Sequence, residues 1–302
     1  MPDHLTSPIS NEITAFIIDR QARRCSPKTI SFYEDELRLF QKYLLENEIL
    51  IMSEILPDDI RQYLIDLSAR RSQGGVHAAY RAIKAFFNWY EAEIDEPLYR
   101  NPIKRVKPPK ITATPLPGVS LEHIQALLRT CARDHLGQRD RAMILALLDT
   151  GLRRNEFLAL NYADLNLKTG AVIVKAGKGG EPRTIFAGHR VRREIVRYLR
   201  YRGDLLPRSP LWTTQSGERL TPSGLRQVLR RRAGLAGIPA PQIHDFRRAF
   251  ALQALRNGAN LITLMRLMGH TSTRTLARYL RLVDDDLRQA HEEISPVDNF
   301  NY

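Results

Sequence analysis

The sequence predicts a mainly α protein with a small antiparallel β-sheet, divided into two domains. Three observations carry that expectation. Apolar residues recur at three-to-four spacing from about Ser10 to Glu96. A stretch rich in proline and basic residues follows, and short runs of strand character cluster only between Leu165 and Phe186. The boundaries read as a helical domain over 1–102, an extended linker over 103–117 and a second domain over 118–302. A chain of 302 residues, 43% of them hydrophobic, is long enough to give each domain its own core.

The elements follow in order. Ile13, Phe16 and Ile17 mark a first helix, and Tyr33, Leu37, Phe40 and Leu44 a second, which Ser26-Pro27 starts well. Pro57 opens a third, with Asp58 and Asp59 favoured near the positive end of its dipole. A fourth, after Gly74-Gly75, carries Tyr80, Ile83, Phe86, Phe87 and Tyr90 on a face that reads as core. In the second domain Ser120 reads as an N-cap, with helices through Leu128 and from Arg139 to Leu148. Leu165 to Leu167, Ala171 to Val174 and Arg183 to Phe186 read as short strands, the last two joined through Gly177-Lys178-Gly179-Gly180. Helices return at Val191 to Tyr201, Ser223 to Ala233 and Phe246 to Asn257, and Asn260 caps one that Gly269 ends.

Composition narrows the function. Lys and Arg total 46 against 33 Asp and Glu, a net charge of +13, which favours a polyanionic partner. Residues 1–110 carry 16 basic and 16 acidic side chains, so the whole excess lies beyond them. Cys25 and Cys131 are far apart and lack ligand spacing, which supports neither a disulfide framework nor a thiolate metal site and fits a reducing cytosol. The start shows no basic segment leading into an apolar stretch, and runs such as Ala142 to Leu148 are too short for a bilayer. A cytoplasmic, nucleoid-associated protein without a membrane partner is expected.

Five residues supply the parts needed to break and rejoin a DNA backbone. Arg153, in Thr150-Gly151-Leu152-Arg153-Arg154-Asn155-Glu156, lies on a turn into a helix, placed for a bidentate grip on phosphate. Glu156 would pair with it or hold the turn. His244-Asp245-Phe246-Arg247 sets an imidazole and a guanidinium on one face of a helical turn. A second Arg could neutralise pentacoordinate phosphorus while the imidazole accepts a hydroxyl proton. His270 follows the helix-ending Gly269, and Tyr279 lies nine positions later. Taken alone, Arg153 is an ordinary surface arginine, His270 a helix-end imidazole and Tyr279 a packed core residue. Lys178 at the hairpin tip could protonate a departing 5′ oxygen, with Lys175 as the backup candidate, and the loop lacks the spacing of a nucleotide-binding P-loop.

These six positions together resemble the tyrosine recombinase family, the phage integrases, and most of all its compact Xer-type members. The resemblance spans nearly the whole chain. It implies that Tyr279 attacks the scissile phosphate to form a 3′-phosphotyrosine link and that Lys178 protonates the leaving 5′-hydroxyl. Arg153, Arg247 and His270 would stabilise the transition state, with His244 as general acid/base. It implies no metal and no other cofactor. The first domain would be the core-binding domain, clamping duplex DNA against the catalytic domain. Four protomers would act on two duplexes through a Holliday junction, with or without a sister recombinase, in integration or excision of a mobile element or in dimer resolution. It also implies no room for an arm-binding domain before the first helices.

The tail reads independently as an assembly element, because Val283, Leu287, Ala290 and Ile294 form a helical stripe beside Asp284, Asp285, Asp286, Glu292 and Glu293. It would dock on the adjacent protomer or fold back on its own domain. Arg154-Asn155 and Arg248 depart from the family's usual residues, which bears on DNA contacts and packing more than on chemistry. The rival readings are a type IB topoisomerase and a non-catalytic DNA-binding regulator, the latter reading DNA with Arg226, Arg230, Arg231 and Arg232.

Overall fold

The computed structural model describes residues 8–94, 99–112, 118–175, 182–203, 205–269 and 295. The chain divides into two compact units, Met1–Thr114 and Pro115–Tyr302. No described helix is long and apolar enough to cross a membrane.

Among the described residues, the first unit is built from four α-helices, α1 (Ile9–Ala22), α2 (Pro27–Glu46), α3 (Pro57–Ser68) and α4 (Gln73–Ile94). Local chemistry sets their starts. Ser26 Oγ accepts from Thr29 N at 3.2 Å ahead of Pro27, and Asp59 Oδ2 accepts from Leu56 N at 2.7 Å ahead of Pro57. α4 begins at Gln73, so Gly74-Gly75 lies inside its first turn instead of preceding it. Its Tyr80, Ile83, Phe86, Phe87 and Tyr90 are all buried, as the aromatic face suggested. Phe16 meets the Phe86 ring edge-on at 5.7 Å, which ties α1 to α4.

The stretch expected to run as an extended linker starts differently. Pro102–Arg105 forms a short 3-10 turn, capped by Asn101 Oδ1 accepting from Ile103 N at 3.1 Å, and Ile103 and Val106 are buried in the first core. Up to Thr112 the chain lies along α4: Tyr80 donates to Val106 O at 3.0 Å, and Thr112 N donates to Gln73 Oε1 at 3.0 Å. Apolar residues three apart inside a basic, proline-rich run gave that turn a face to bury.

The second unit holds α5 (Leu121–Arg129), α6 (His135–Thr150), α7 (Arg154–Ala159), β1 (Ala171–Val174), β2 (Arg183–Phe186), α8 (His189–Leu199), α9 (Pro222–Ala236), α10 (Ile243–Arg256) and α11 (Leu261–Met268). The two strands pair antiparallel, with Val172 opposite Ile185 and Val174 opposite Arg183. Leu165 makes only an isolated bridge to Val172, so the strand expected at 165–167 is absent; a 3-10 turn at Tyr162–Asp164 takes up the chain just before it. Phe157 stacks on Trp212 at 4.9 Å in the centre of the core, and α6 packs against α8 and α10.

Beneath this core sits a buried charge cluster. Asp140, with no exposed surface, accepts from Arg139 Nε at 3.0 Å, Arg231 Nη2 at 2.8 Å and Arg232 Nε at 2.8 Å. Arg232 is itself buried and cannot read DNA, which corrects its place in the proposed four-arginine reading element. The cluster pins α9 to α6. Replacing Asp140 with Ala leaves buried guanidinium groups uncompensated, so a loss of about 3–5 kcal/mol is expected. Denaturant unfolding followed by Trp212, the only tryptophan of this unit, measures it, and a loss under 1 kcal/mol would contradict the assignment.

Candidate active site

The site is assembled from the ends of helices. α6 stops at Gly151, whose φ of +57° is left-handed and whose added Cβ would lie 2.3 Å from Phe250 Cδ1, so only glycine fits the turn. Buried Leu152 anchors the next step, and Arg153 becomes the N-cap of α7. Its backbone N–H donates to Glu156 Oε2 at 2.9 Å. Its side chain donates from Nη1 to Glu156 Oε1 at 3.0 Å and from Nη2 to Gly269 O at 2.5 Å. The Arg153 side chain is 46% exposed.

Arg247 enters from α10 just past its first turn and is almost fully buried, at 2% exposure. Its Nη1 donates to Gly151 O at 2.5 Å and its Nη2 to Met268 O at 2.6 Å. The two arginines thus land on consecutive carbonyls at the end of α11, where the helix leaves unpaired acceptors and partial negative charge. The spacing in the sequence placed them in separate boxes; the fold brings them together.

A third arginine joins them. Arg183, on β2, donates from Nη1 and Nη2 to Glu156 at 2.9 and 2.8 Å and from Nε to Leu267 O at 3.1 Å. Sequence reasoning missed it. The available signal was register: Arg183 shares a strand face with buried Ile185 and faces buried Val174, and a cation in that place needs a carboxylate.

Electrostatics follow from this packing. For Glu156, desolvation pushes the carboxyl up, but hydrogen bonds from Arg183, from Arg153 N and from the Arg153 side chain, with the charge of Arg183, overcome it and hold the group at about 2. His244, in the first turn of α10 on the exposed side, is held below its ordinary value. Partial desolvation contributes most, then the charges of Arg248 and Arg247, with Asp245 opposing. Arg248 itself donates to Asp245 Oδ1 at 2.9 Å. Lys175, the alternative to Lys178, pairs with Asp164 Oδ1 at 2.9 Å. Lys178, His270 and Tyr279 lie outside the described residues, as do Val283 to Ile294 of the tail.

Two family models match the chain: the phage integrase family over residues 119–285, and the phage integrase N-terminal SAM-like domain over 14–93. The chain belongs to the phage integrase family. Among relatives, the tyrosine recombinase XerC of Pelobacter propionicus is 27% identical over 96% of this chain and 96% of its own. The tyrosine recombinase XerD of Pseudomonas putida is 31% identical over 90% of this chain and 92% of its own. A lambda integrase dimer bound to a core site shares the fold at a TM-score of 0.75 and 13% identity, over 91% of this chain and 77% of that one. The protein is a site-specific tyrosine recombinase, and the topoisomerase and non-catalytic regulator readings give way to that one.

Two expected outcomes follow for the recombinase. Because the folded Glu156 carboxyl lies well below its unfolded value of 4.5, its contribution is complete above pH 4.5 and is lost as pH falls towards about 2. That contribution is on the order of 3 kcal/mol. Unfolding free energies of wild type and Glu156→Gln, compared across that window, should converge as the pH drops; parallel curves would reject the ion pair. For His244, NMR titration of the free protein should give a midpoint below 6.5 that rises in Arg248→Gln, since a cation is removed. A midpoint at or above 6.5 in wild type would contradict the site's electrostatics.

Proposed function

We propose that this recombinase cuts and rejoins duplex DNA through a covalent tyrosine intermediate, with Arg153, Lys178, His244, Arg247, His270 and Tyr279 as its catalytic residues. The Tyr279 phenol oxygen attacks the scissile phosphorus, the bond to the 5′ oxygen breaks, and a 3′-phosphotyrosine link remains. Lys178 gives a proton to the departing 5′ oxygen, and His244, neutral at physiological pH, takes the phenol proton. Arg153, Arg247 and His270 spread the charge of the pentacoordinate phosphorus. A 5′-hydroxyl from the partner strand then attacks the phosphotyrosine and returns the phenol. Energy of the phosphodiester is kept in the protein–DNA bond throughout.

The observation that carries this reading is the meeting of Arg153 and Arg247 on neighbouring carbonyls at the end of the helix that runs into Gly269-His270. Charge supports it as well: residues 111–302 hold 30 basic against 17 acidic side chains. The domain organisation we propose is a core-binding domain over 1–102, a connecting segment over 103–117 whose first part packs on that domain through Ile103 and Val106, and a catalytic domain over 118–302. Four protomers would hold two DNA sites and exchange strands in pairs through a Holliday junction, alone or with a sister recombinase. The lambda integrase complex, a dimer on its core site, supports assembly on DNA. In the cell the protein would work on the nucleoid, in integration or excision of a mobile element or in dimer resolution.

Covalent capture on nicked duplex DNA tests the chemistry. Wild type should form a protease-sensitive protein–DNA adduct, Tyr279→Phe should form none while binding the same DNA, and Arg153→Gln should slow capture about 10²–10³-fold. Adduct formation by Tyr279→Phe would place the nucleophile elsewhere. Mapping the captured sites then separates element integration from dimer resolution by their location and symmetry.

A further inference from the structure

Arg183 stands where strand alternation calls for an apolar residue, yet it is only 16% exposed and each of its three guanidinium nitrogens donates a hydrogen bond. Three pieces of chain meet on it. It belongs to β2, which begins five residues after Lys178; it forks onto Glu156 of α7; and it caps Leu267 O of α11. Its guanidinium also packs against Gly269, where an added Cβ would lie 2.9 Å from Cζ and from Nη1. Gly269 has a φ of +63° and is followed in the sequence by His270.

Glu156 is the shared partner. Its two oxygens receive Arg183 Nη1 and Nη2, Arg153 N and Arg153 Nη1, which uses about all the lone-pair positions a carboxylate has. Arg183 therefore competes with Arg153 for one anion. Without it, the carboxylate would turn wholly to Arg153, close a two-pronged pair with that guanidinium and take the donors a phosphate needs. With it, Arg153 is held by one edge and keeps the other for a ligand, exchanging Gly269 O for a phosphate oxygen.

We propose that Arg183 is a positioning residue for strand cleavage, holding Glu156 and the end of α11 so that Arg153 presents its guanidinium to the scissile phosphate. This rests on the reading of Arg153 as a phosphate ligand. Arg183 touches no substrate itself; its effect belongs to the chemical step and not to DNA affinity.

The test is the single-turnover rate of covalent capture on nicked duplex DNA at saturating protein, measured beside the DNA dissociation constant. Arg183→Met should cleave about 10²-fold more slowly at saturation, with affinity within about threefold of wild type, a range inside the modest cost of one uniform contact. Arg183→Lys, which keeps the charge but lacks the fork, should recover part of the rate. Arg153→Ala combined with Arg183→Met should be no slower than Arg153→Ala alone, because both losses act through one group. A merely structural role would make the two losses multiply. Wild-type capture together with an unimpaired Arg183→Met, or multiplied losses in the double variant, overturns the proposal while leaving the recombinase chemistry intact. No capture by wild type overturns both. Should Arg183→Met unfold at the assay temperature, Arg183→Lys decides: a full wild-type rate overturns the proposal, a partial one supports it.

Discussion

The C-terminal end of α11 is the constraint on which the site depends. An α-helix leaves its last carbonyls without partners inside the helix and concentrates negative partial charge there. Here the carbonyls of Leu267, Met268 and Gly269 receive Arg183, Arg247 and Arg153, from a strand, a helix and a helix-leading loop. A general property of helix ends thereby becomes the meeting point for groups as far apart as Arg153 and Gly269, 116 positions along the chain. The left-handed turn at Gly269 is what lets the last carbonyl face the arginines, and the guanidinium packed against it leaves no room for a side chain.

What the sequence disclosed follows the range over which each interaction acts. Helix starts were legible because Ser26, Ser120 and Asn260 cap within three residues, and the strand pair because apolar residues alternate on both sides of a glycine-rich sequence, placing Val172 opposite Ile185. The family resemblance picked out Arg153 and Arg247, though not the carbonyls that receive them. Two features escaped. Ile103 and Val106 fold back on α4 because apolar spacing outweighed the local proline signal, and Arg183 draws its meaning from Glu156, 27 positions away. Spacing and register could mark these residues as buried, but in neither case does the local sequence name the partner. The same holds for Asp140, whose partners lie one residue away in Arg139 and some 90 residues away in Arg231 and Arg232.

Burial also changes how the positive charge should be counted. The excess beyond residue 110 suggests a uniformly basic DNA surface, but Arg139, Arg232 and Arg247 are buried and committed to internal oxygens. Those cations shape the fold before they shape the field outside it. Net charge predicts the kind of partner and says little about which residues meet it.

Arg153 and Arg247 accordingly play unequal parts, although the sequence presents them as a pair. Arg247 is buried, donates to carbonyls on both sides and has already lost its hydration and its rotamer freedom on folding. A phosphate approaching it meets a cation whose position is fixed, which is the condition under which a low-dielectric site acts most strongly. Arg153 is nearly half exposed and shares its guanidinium between a carboxylate and the Gly269 carbonyl. On the proposed reading a charged phosphate oxygen, a better acceptor than that neutral carbonyl, would take its place once DNA is bound. The exchange would also release the carbonyl just ahead of His270 in the sequence. On the proposed reading one arginine is preorganised and the other would respond to the ligand, with the carboxylate of Glu156, divided between Arg153 and Arg183, setting how readily the second can move.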